Sequence, residues 1–440
     1  MSPRAGIVVT GTEVLSGIIS DRNGPWLSER LRELGVDVAQ IVIVGDRVDD
    51  LRTALRQLAD QGVALIVTSG GLGPTDDDLT AEVVSLFQGQ PTRLDDALFA
   101  QIGEILRPLM ERFPDLDHDA IIRSNRKQAL VPAGATVLAP VGTAPGLIVP
   151  PSAAGDAGAD GPLVVVLPGP PGELQPMWGA AITTDALRAA VRDAKPFEWR
   201  IMRLFGIPES EIVETMRRAE QQGLDLSPLE ITTCMRRAEL EIATRYDSAD
   251  EPAYDRFEAF VGARHGEVLF STDGSTIDEQ VARLLLDSQR TIATAESCTG
   301  GLLAGRLTDR PGSSAYVLGG LVVYSNAAKT ALAGVDAALI ERVGAVSPEV
   351  AEALAVGAIA RLGSDIGVGI TGIAGPDGGT PEKPVGLVYV TVALRDGSPV
   401  TRRLLLPGDR AAVRDRTTTI ALHMVRQLLL ADAAPAVPSD

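Results

Sequence analysis

"VALIVTSGGLGPTDDDLT", residues 63 to 80, runs from apolar and β-branched residues into a glycine turn and three successive aspartates. Its first half predicts a buried strand, and its second half a loop at that strand's carboxyl end. Two similar apolar runs precede it, "AGIVVTG" (5–11) and "VDVAQIVIVGD" (36–46). Between the strands lie two helical patterns: Trp26, Leu27, Leu31 and Leu34 before Gly35, then Leu51, Ala54, Leu55 and Leu58 before Gly62. Strands separated by single helices imply right-handed crossovers and a parallel sheet covered on both faces. Ligands of such sheets bind beyond the strands' carboxyl ends, where "TSGGLGPTDDDLT" (68–80) falls.

Gly70, Gly71 and Gly73 allow close backbone approach to an anion, with Thr75 beside them. Asp76, Asp77 and Asp78 are hard oxygen donors suited to a divalent cation that bridges phosphates. Aspartates at a helix start also serve as caps and dipole partners, with no ligand at all. The balance moves because two further strand ends carry similar groups: "GTEVLSG" (11–17) and "VVVLPGPPGEL" (164–174), the latter with Glu173.

With 440 residues the chain has length for about three domains. Its opening residues, "MSPRAGIVVTGTE", enter a strand pattern at once, and no apolar run spans a bilayer, so the expectation is a cytoplasmic protein without a membrane partner. A net charge of −18 argues against a nucleic-acid partner. Cys234 and Cys298, far apart, form neither a disulfide framework nor a zinc site of the usual spacing.

Residues 175–274 read as a small α+β module, with strands at "EWRIMRLFGI" and "AELEIATRY" and helices at "PESEIVETMRRAEQQG" and "PAYDRFEAFVGARHG". It has no GXXG loop for clamping RNA. Thr276 and Glu279 have capping-box spacing and open a second α/β domain, 275–432. "PPSAAGDAGADG" (150–161) has no hydrophobic pattern and reads as a disordered surface loop.

In the last domain "ATAESCTGG" (293–301) sets Ser297 beside Cys298 where a buried strand meets a helix start. Backbone amides around Thr299, Gly300 and Gly301 are placed to stabilise an oxyanion, although serine at such a junction also acts simply as an N-cap. None of the three histidines, His118, His265 and His423, is near in sequence, so the candidate base is Lys329 of "YSNAAKT" (324–330), with Tyr324, Ser325 and Asn326 alongside. A lysine base must be neutral. Bringing its pKa from about 10.4 to near 7 costs about 4 kcal/mol, and the usual fate of a helical lysine is exposure. "GITGIAGPDGGTPEKPVG" (369–386) adds a glycine-rich loop with Thr371, Gly372, Ala374 and Gly375 as candidate contacts, and Arg410 of "PGDRAAVRDR" is a candidate phosphate helper.

Two sets of motifs resemble the competence/damage-inducible protein A (CinA) family. "GTEVLSG" with Asn23, "TSGGLGPTDDDLT", "VGTAPG" (141–146) and "LPGPPGEL" resemble its N-terminal domain. "TAESCTGGLLAGRLTDRPGSS", "GGLVVYSNAAKTALAGV" and the loop at 369–386 resemble its C-terminal domain. The resemblance implies a molybdopterin-binding-like three-layer domain over 1–174, a KH-like middle domain and an α/β three-layer deamidase domain. It implies two activities as well. One is hydrolysis of nicotinamide mononucleotide to nicotinate mononucleotide and ammonia, with Ser297 as nucleophile, Lys329 as base and Tyr324 as a third member, and no cofactor. The other is metal-dependent ADP-ribose pyrophosphatase activity, with Asp77, Asp78 and Glu173 as metal ligands. A homodimer is expected. The family commonly has Asn where this chain has Ala139. The competing expectation is a non-catalytic nucleotide- or pterin-binding scaffold linked to competence or the DNA damage response.

Overall fold

The computed structural model describes residues 2–433 apart from 116. Two compact units divide the chain, the first closing at Phe197 and the second beginning at Glu198. Among the described residues no helix is long and apolar enough to cross a membrane.

The first unit contains strands β1 (Arg4–Thr10), β2 (Asp37–Val44), β3 (Leu65–Ser69), β4 (Thr92–Leu94), β5 (Leu130–Pro132), β6 (Thr136–Leu138), β7 (Gly146–Val149) and β8 (Leu163–Leu167). Six form one sheet in the order β2-β1-β3-β8-β7-β6, while β4 and β5 pair separately. The pairs β1–β2, β1–β3 and β3–β8 are parallel, as the strand–helix alternation requires. At the other edge β7 and β6 run antiparallel, so the sheet is mixed. Alternation along β1 sends Val8 into one core with Leu55, Leu58 and Phe87, and Ile7 and Val9 into the other with Leu27, Leu31 and Trp178. Two cores on opposite faces of one sheet make three layers.

Two expectations need correction here. The first unit does not end at residue 174: Met177, Trp178, Ala181 and Leu187, on helices Pro171–Ala181 and Asp185–Ala190, are buried in its second core. The segment 150–161 is not a disordered loop but is pinned by polar contacts that a hydrophobic pattern cannot reveal. Arg52 grips Asp156 with two bonds of 2.7 Å and Arg56 adds a third of 2.9 Å. The Asp156 amide donates to the Phe87 carbonyl, and the Ser152 hydroxyl to that of Gln88. The two guanidinium groups hold the Asp156 carboxyl down at about 2.

The second unit contains two sheets. β9 (Glu198–Phe205), β10 (Glu230–Arg236), β11 (Glu239–Tyr246) and β12 (Leu269–Ser271) pair in the antiparallel order β10-β11-β9-β12, covered by helices Glu209–Gln221 and Glu251–His265. β13 (Ile292–Glu296), β14 (Val317–Val322), β15 (Ile366–Gly372), β16 (Leu387–Leu394) and β17 (Val400–Leu405) form the order β14-β13-β15-β16-β17. β13 is parallel to both of its neighbours. The Thr276–Glu279 capping box forms in both directions. Within the second unit the two sheets share a buried junction. There His423, on the terminal helix Arg410–Ala433, stacks on Phe205 at 3.7 Å and meets Glu239 Oε1 at 2.7 Å.

Candidate functional site

Ser297 follows β13 directly, and its amide donates to the Ile370 carbonyl of β15 at 2.9 Å. That bond fixes the residue at the strand's carboxyl end, with its side chain 8% exposed. Cys298 turns the other way into the hydrophobic core, and burial pushes its thiol up to about 11. A thiol so placed resists ionisation, which disfavours it as a nucleophile.

Lys329 lies in helix Asn326–Ala333, whose start is capped by the Ser325 hydroxyl accepting from the Ala328 amide. The lysine is 2% exposed, and its Nζ lies 3.1 Å from Ser297 Oγ and 3.2 Å from the Tyr324 carbonyl. Burial lowers its pKa from the usual lysine value, the direction a base requires. Of the two histidines in this unit, His423 is engaged by Glu239 and His265 by Thr215.

Tyr324 is placed differently from the other two candidates. Its main-chain carbonyl meets Lys329, while its phenol is 59% exposed and accepts from Arg410 Nη2 at 2.9 Å. Arg410 Nη1 also donates to the Gly375 carbonyl at 2.9 Å, so this arginine ties Tyr324 to the glycine loop. Ser325 and Asn326 are exposed in the first turn of the lysine helix.

Several expected ligand contacts are structural instead. Thr371 is fully buried and donates to the Ala345 carbonyl at 2.7 Å. Gly372 pairs with Val388, and a Cβ there would come within 2.7 Å of the Leu387 carbonyl oxygen. Ala374 belongs to the hydrophobic core. Two of the three expected oxyanion amides are engaged as well: Gly300 donates to the Ser297 carbonyl, and Gly301 to Glu296.

Glu296 went unnoticed in the sequence. It is fully buried, and its carboxylate accepts from the amides of Gly301, Leu303 and Ala304 and from the Thr294 hydroxyl. It is thus the cap of helix Leu302–Thr308, which leaves Ser297 free of that role. An acidic residue closing an apolar strand was the available signal. Arg414 was also missed. Its Nη2 donates to the Thr299 carbonyl at 2.9 Å, while its buried Nε and the Thr299 hydroxyl have no partner among the described residues.

In the first unit the ends of β1, β3 and β8 converge on a cavity of about 380 Å³ lined by Gly70, Gly71, Gly73, Thr75, Asp77, Asp78 and Glu173. All seven candidates meet there, joined by Glu13 and Asp46, whereas Ala139 does not line it. Gly70 has φ +105°, and a Cβ would lie 2.5 Å from the Thr10 carbonyl oxygen, so only glycine fits. Asn23 donates to Ser69 Oγ at 2.8 Å and to the Gly169 carbonyl at 2.6 Å, joining two of the strand ends.

The Thr75 hydroxyl lies between Asp77 and Asp78, and its amide donates to Asp78 Oδ2 at 2.9 Å. The Thr75 hydrogen bond holds the Asp77 carboxyl below its usual range, while burial raises Glu173. Lys127, also missed, steadies the loop by donating to the Thr75 carbonyl at 2.7 Å. Among the described residues no three acidic, thiol or imidazole groups are close enough to hold a metal by themselves. A magnesium-like ion needs only one or two carboxylates when substrate phosphates supply further oxygens, so this all-oxygen donor set fits one that arrives with a diphosphate.

Comparison with known proteins gives matches along nearly the whole chain. Residues 6–188 match the family described as probable molybdopterin binding domain, and residues 274–429 the CinA C-terminal domain. A CinA-like protein of Mycolicibacterium vanbaalenii is 57% identical over 429 residues, covering 98% of this chain and 99% of the relative. One from Mycobacterium tuberculosis is 53% identical over 434 residues, covering 98% of each. Among solved structures, the competence/damage inducible protein CihA of Agrobacterium tumefaciens is 40% identical, covering 36% of this chain and 99% of its own, with a TM-score of 0.34. With such identity sustained from end to end, the chain belongs to the CinA family.

Proposed function

We propose that the second unit is a serine/lysine amidohydrolase that converts nicotinamide mononucleotide to nicotinate mononucleotide and ammonia. The observation that carries this reading is the buried pair itself, Lys329 Nζ at 3.1 Å from Ser297 Oγ. Desolvation favours the neutral amine, and a neutral amine at hydrogen-bond distance can accept the serine proton. Ser297 Oγ then bonds to the carboxamide carbon while Lys329 takes the proton. Collapse of the tetrahedral adduct breaks the C–N bond, and Lys329 returns the proton to the departing ammonia. Water, deprotonated by the same amine, cleaves the acyl ester and regenerates the serine. Arg410 and Arg414 bring positive charge toward this site, which suits a substrate bearing a phosphate. Ammonia release from nicotinamide mononucleotide by the purified chain is the test; its absence leaves a ligand-binding scaffold.

The carboxylate-lined cavity of the first unit supports a second reading, cleavage of the diphosphate of ADP-ribose. A divalent cation would be held by Asp77, Asp78 or Glu173 together with substrate phosphates, and would neutralise charge on the diphosphate. The chain's own contribution is to fix the glycine loop through Thr75 and Lys127 and to present Glu173, whose carboxyl burial pushes above its usual range. Cleavage of ADP-ribose to AMP and ribose 5-phosphate by the purified chain tests it.

A further inference from the structure

Strand β10 is an open edge: it pairs with β11 on one side and, among the described residues, with no strand on the other. Its seven residues, "EITTCMR" (230–236), run in unbroken register from Glu230 opposite Arg245 to Arg236 opposite Glu239. Glu230, Thr232, Cys234, Met235 and Arg236 are exposed. A free edge presents a row of unpaired amides and carbonyls, which proteins ordinarily blunt with a proline, a bulge, a very short strand or charges set against an incoming chain. β10 has no proline and no bulge, and at seven residues it is longer than the average strand of about 5–6.

Its charges repel only one kind of neighbour. Glu230 and Arg236 stand at equal distances in sequence from Thr233, at opposite ends of the strand. A second β10 laid parallel and in register would set Glu230 on Glu230 and Arg236 on Arg236, and like charges directly opposite are destabilising. Laid antiparallel about Thr233, the same strand sets Glu230 against the partner's Arg236 and Arg236 against the partner's Glu230. Thr232 then meets the partner's Cys234 on the same face. On the other face Ile231, packed against the core under its sheet, meets the partner's Met235, which is 45% exposed in the single chain. Glu230 remains 65% exposed although it reaches Arg245 of its own chain at 3.3 Å, so its carboxylate is accessible to a second cation. The Thr233 hydroxyl donates to Glu209, so that carboxylate, beside the axis, is already hydrogen-bonded.

We propose that two copies of this chain associate through β10, antiparallel about Thr233, so that their four-stranded sheets join edge to edge across a closed two-fold interface. Neither catalytic reading bears on this edge. The test is sedimentation equilibrium on the full chain and on Glu230→Lys and Arg236→Glu, each alone and the two mixed. Each substitution turns both symmetry-related ion pairs into repulsions and should weaken association at least about 10-fold. In the equimolar mixture the introduced lysine of one copy faces the introduced glutamate of the other, and native Arg236 faces native Glu230, so association should return. A folding defect in either variant would not be repaired by mixing. Thr233→Cys in a Cys234→Ser background should form an intermolecular disulfide on mild oxidation, because directly opposite residues of an antiparallel pair lie about 4.5–5.5 Å apart at Cα. Cys298 is buried and does not compete. A native chain that sediments as a monomer, single variants that associate as the native chain does, a mixture no tighter than either variant alone, or a Thr233→Cys chain that stays uncrosslinked overturns the proposal.

Discussion

Lys329 Nζ lies 3.1 Å from Ser297 Oγ with both side chains buried, whereas Cys298, one residue on, is packed into the core. The burial that disfavours the ammonium favours a neutral amine beside the serine hydroxyl.

A pH dependence follows, with a definite sign. Only neutral Lys329 accepts the serine proton, so kcat/KM for nicotinamide mononucleotide should fall as pH drops through the lowered lysine pKa and level off above it. The governing pKa should lie below the usual lysine value. A profile that keeps rising up to that value would show that burial does not activate the lysine.

Stability should move in the same direction. Because the folded-state pKa of Lys329 lies below its unfolded value, the unfolded chain binds more protons between the two, and stability rises with pH across that window. Below the folded pKa the lysine is a burial penalty. Lys329→Met should therefore abolish deamidation yet raise the stability of the second unit at pH 6 by about 1 kcal/mol, with the gain shrinking as pH rises. Urea unfolding of both proteins at pH 6 and pH 9 checks it; a destabilised Lys329→Met at both pH values would contradict the account.

The Asp156 clamp should behave as a depressed carboxylate. Its folded pKa of about 2 lies below the unfolded value, so its contribution is present above about pH 4 and is lost as pH falls toward 2. Asp156→Asn should speed proteolytic nicking within 150–161 at pH 7 by about 10-fold, corresponding to about 1.4 kcal/mol. With an acid protease near pH 2 the variant and the wild type should become alike. Equal nicking at pH 7 would show that the two arginines do not hold this segment.

The two proposed activities should part company on metal removal. EDTA should abolish ADP-ribose cleavage, restored by adding a divalent cation, because two phosphates meet a cavity already lined by Glu13, Asp46, Asp77, Asp78 and Glu173. Deamidation should change by less than about 2-fold in EDTA, since its charge develops beside the protonated lysine and not beside a metal ion. The double variant Asp77→Ala, Asp78→Ala should lose the first activity and keep the second. Deamidation sensitive to the chelator would contradict the separation.

Helical and strand periodicities were legible wherever a face is buried: Leu51, Ala54, Leu55 and Leu58 occupy the core they predict, and the Thr276 capping box forms. The antiparallel edge of β7 and β6 was not, because direction is set by long-range pairing and not by composition. The first unit's extension to Phe197 and the anchoring of 150–161 depend on Trp178 and Asp156 finding partners far away in sequence. At the candidate site, residue type and spacing led to Ser297 and Lys329. They did not lead to Glu296, whose capping role is visible only once the amides of Gly301, Leu303 and Ala304 converge on it. Thr371 and Gly372 misled because a glycine-rich strand end serves tight packing as readily as ligand approach.

The most direct test of the central claim is kcat/KM for nicotinamide mononucleotide in Ser297→Ala, Cys298→Ala and Lys329→Arg, measured side by side. Ser297→Ala should lose at least about 10³-fold, and Lys329→Arg a similar amount despite its retained charge, because a guanidinium is not deprotonated near neutral pH. Cys298→Ala should stay within about 3-fold, its effect being a core cavity of roughly 1 kcal/mol and not lost chemistry. Full activity in Ser297→Ala, or loss confined to Cys298→Ala, would contradict the account.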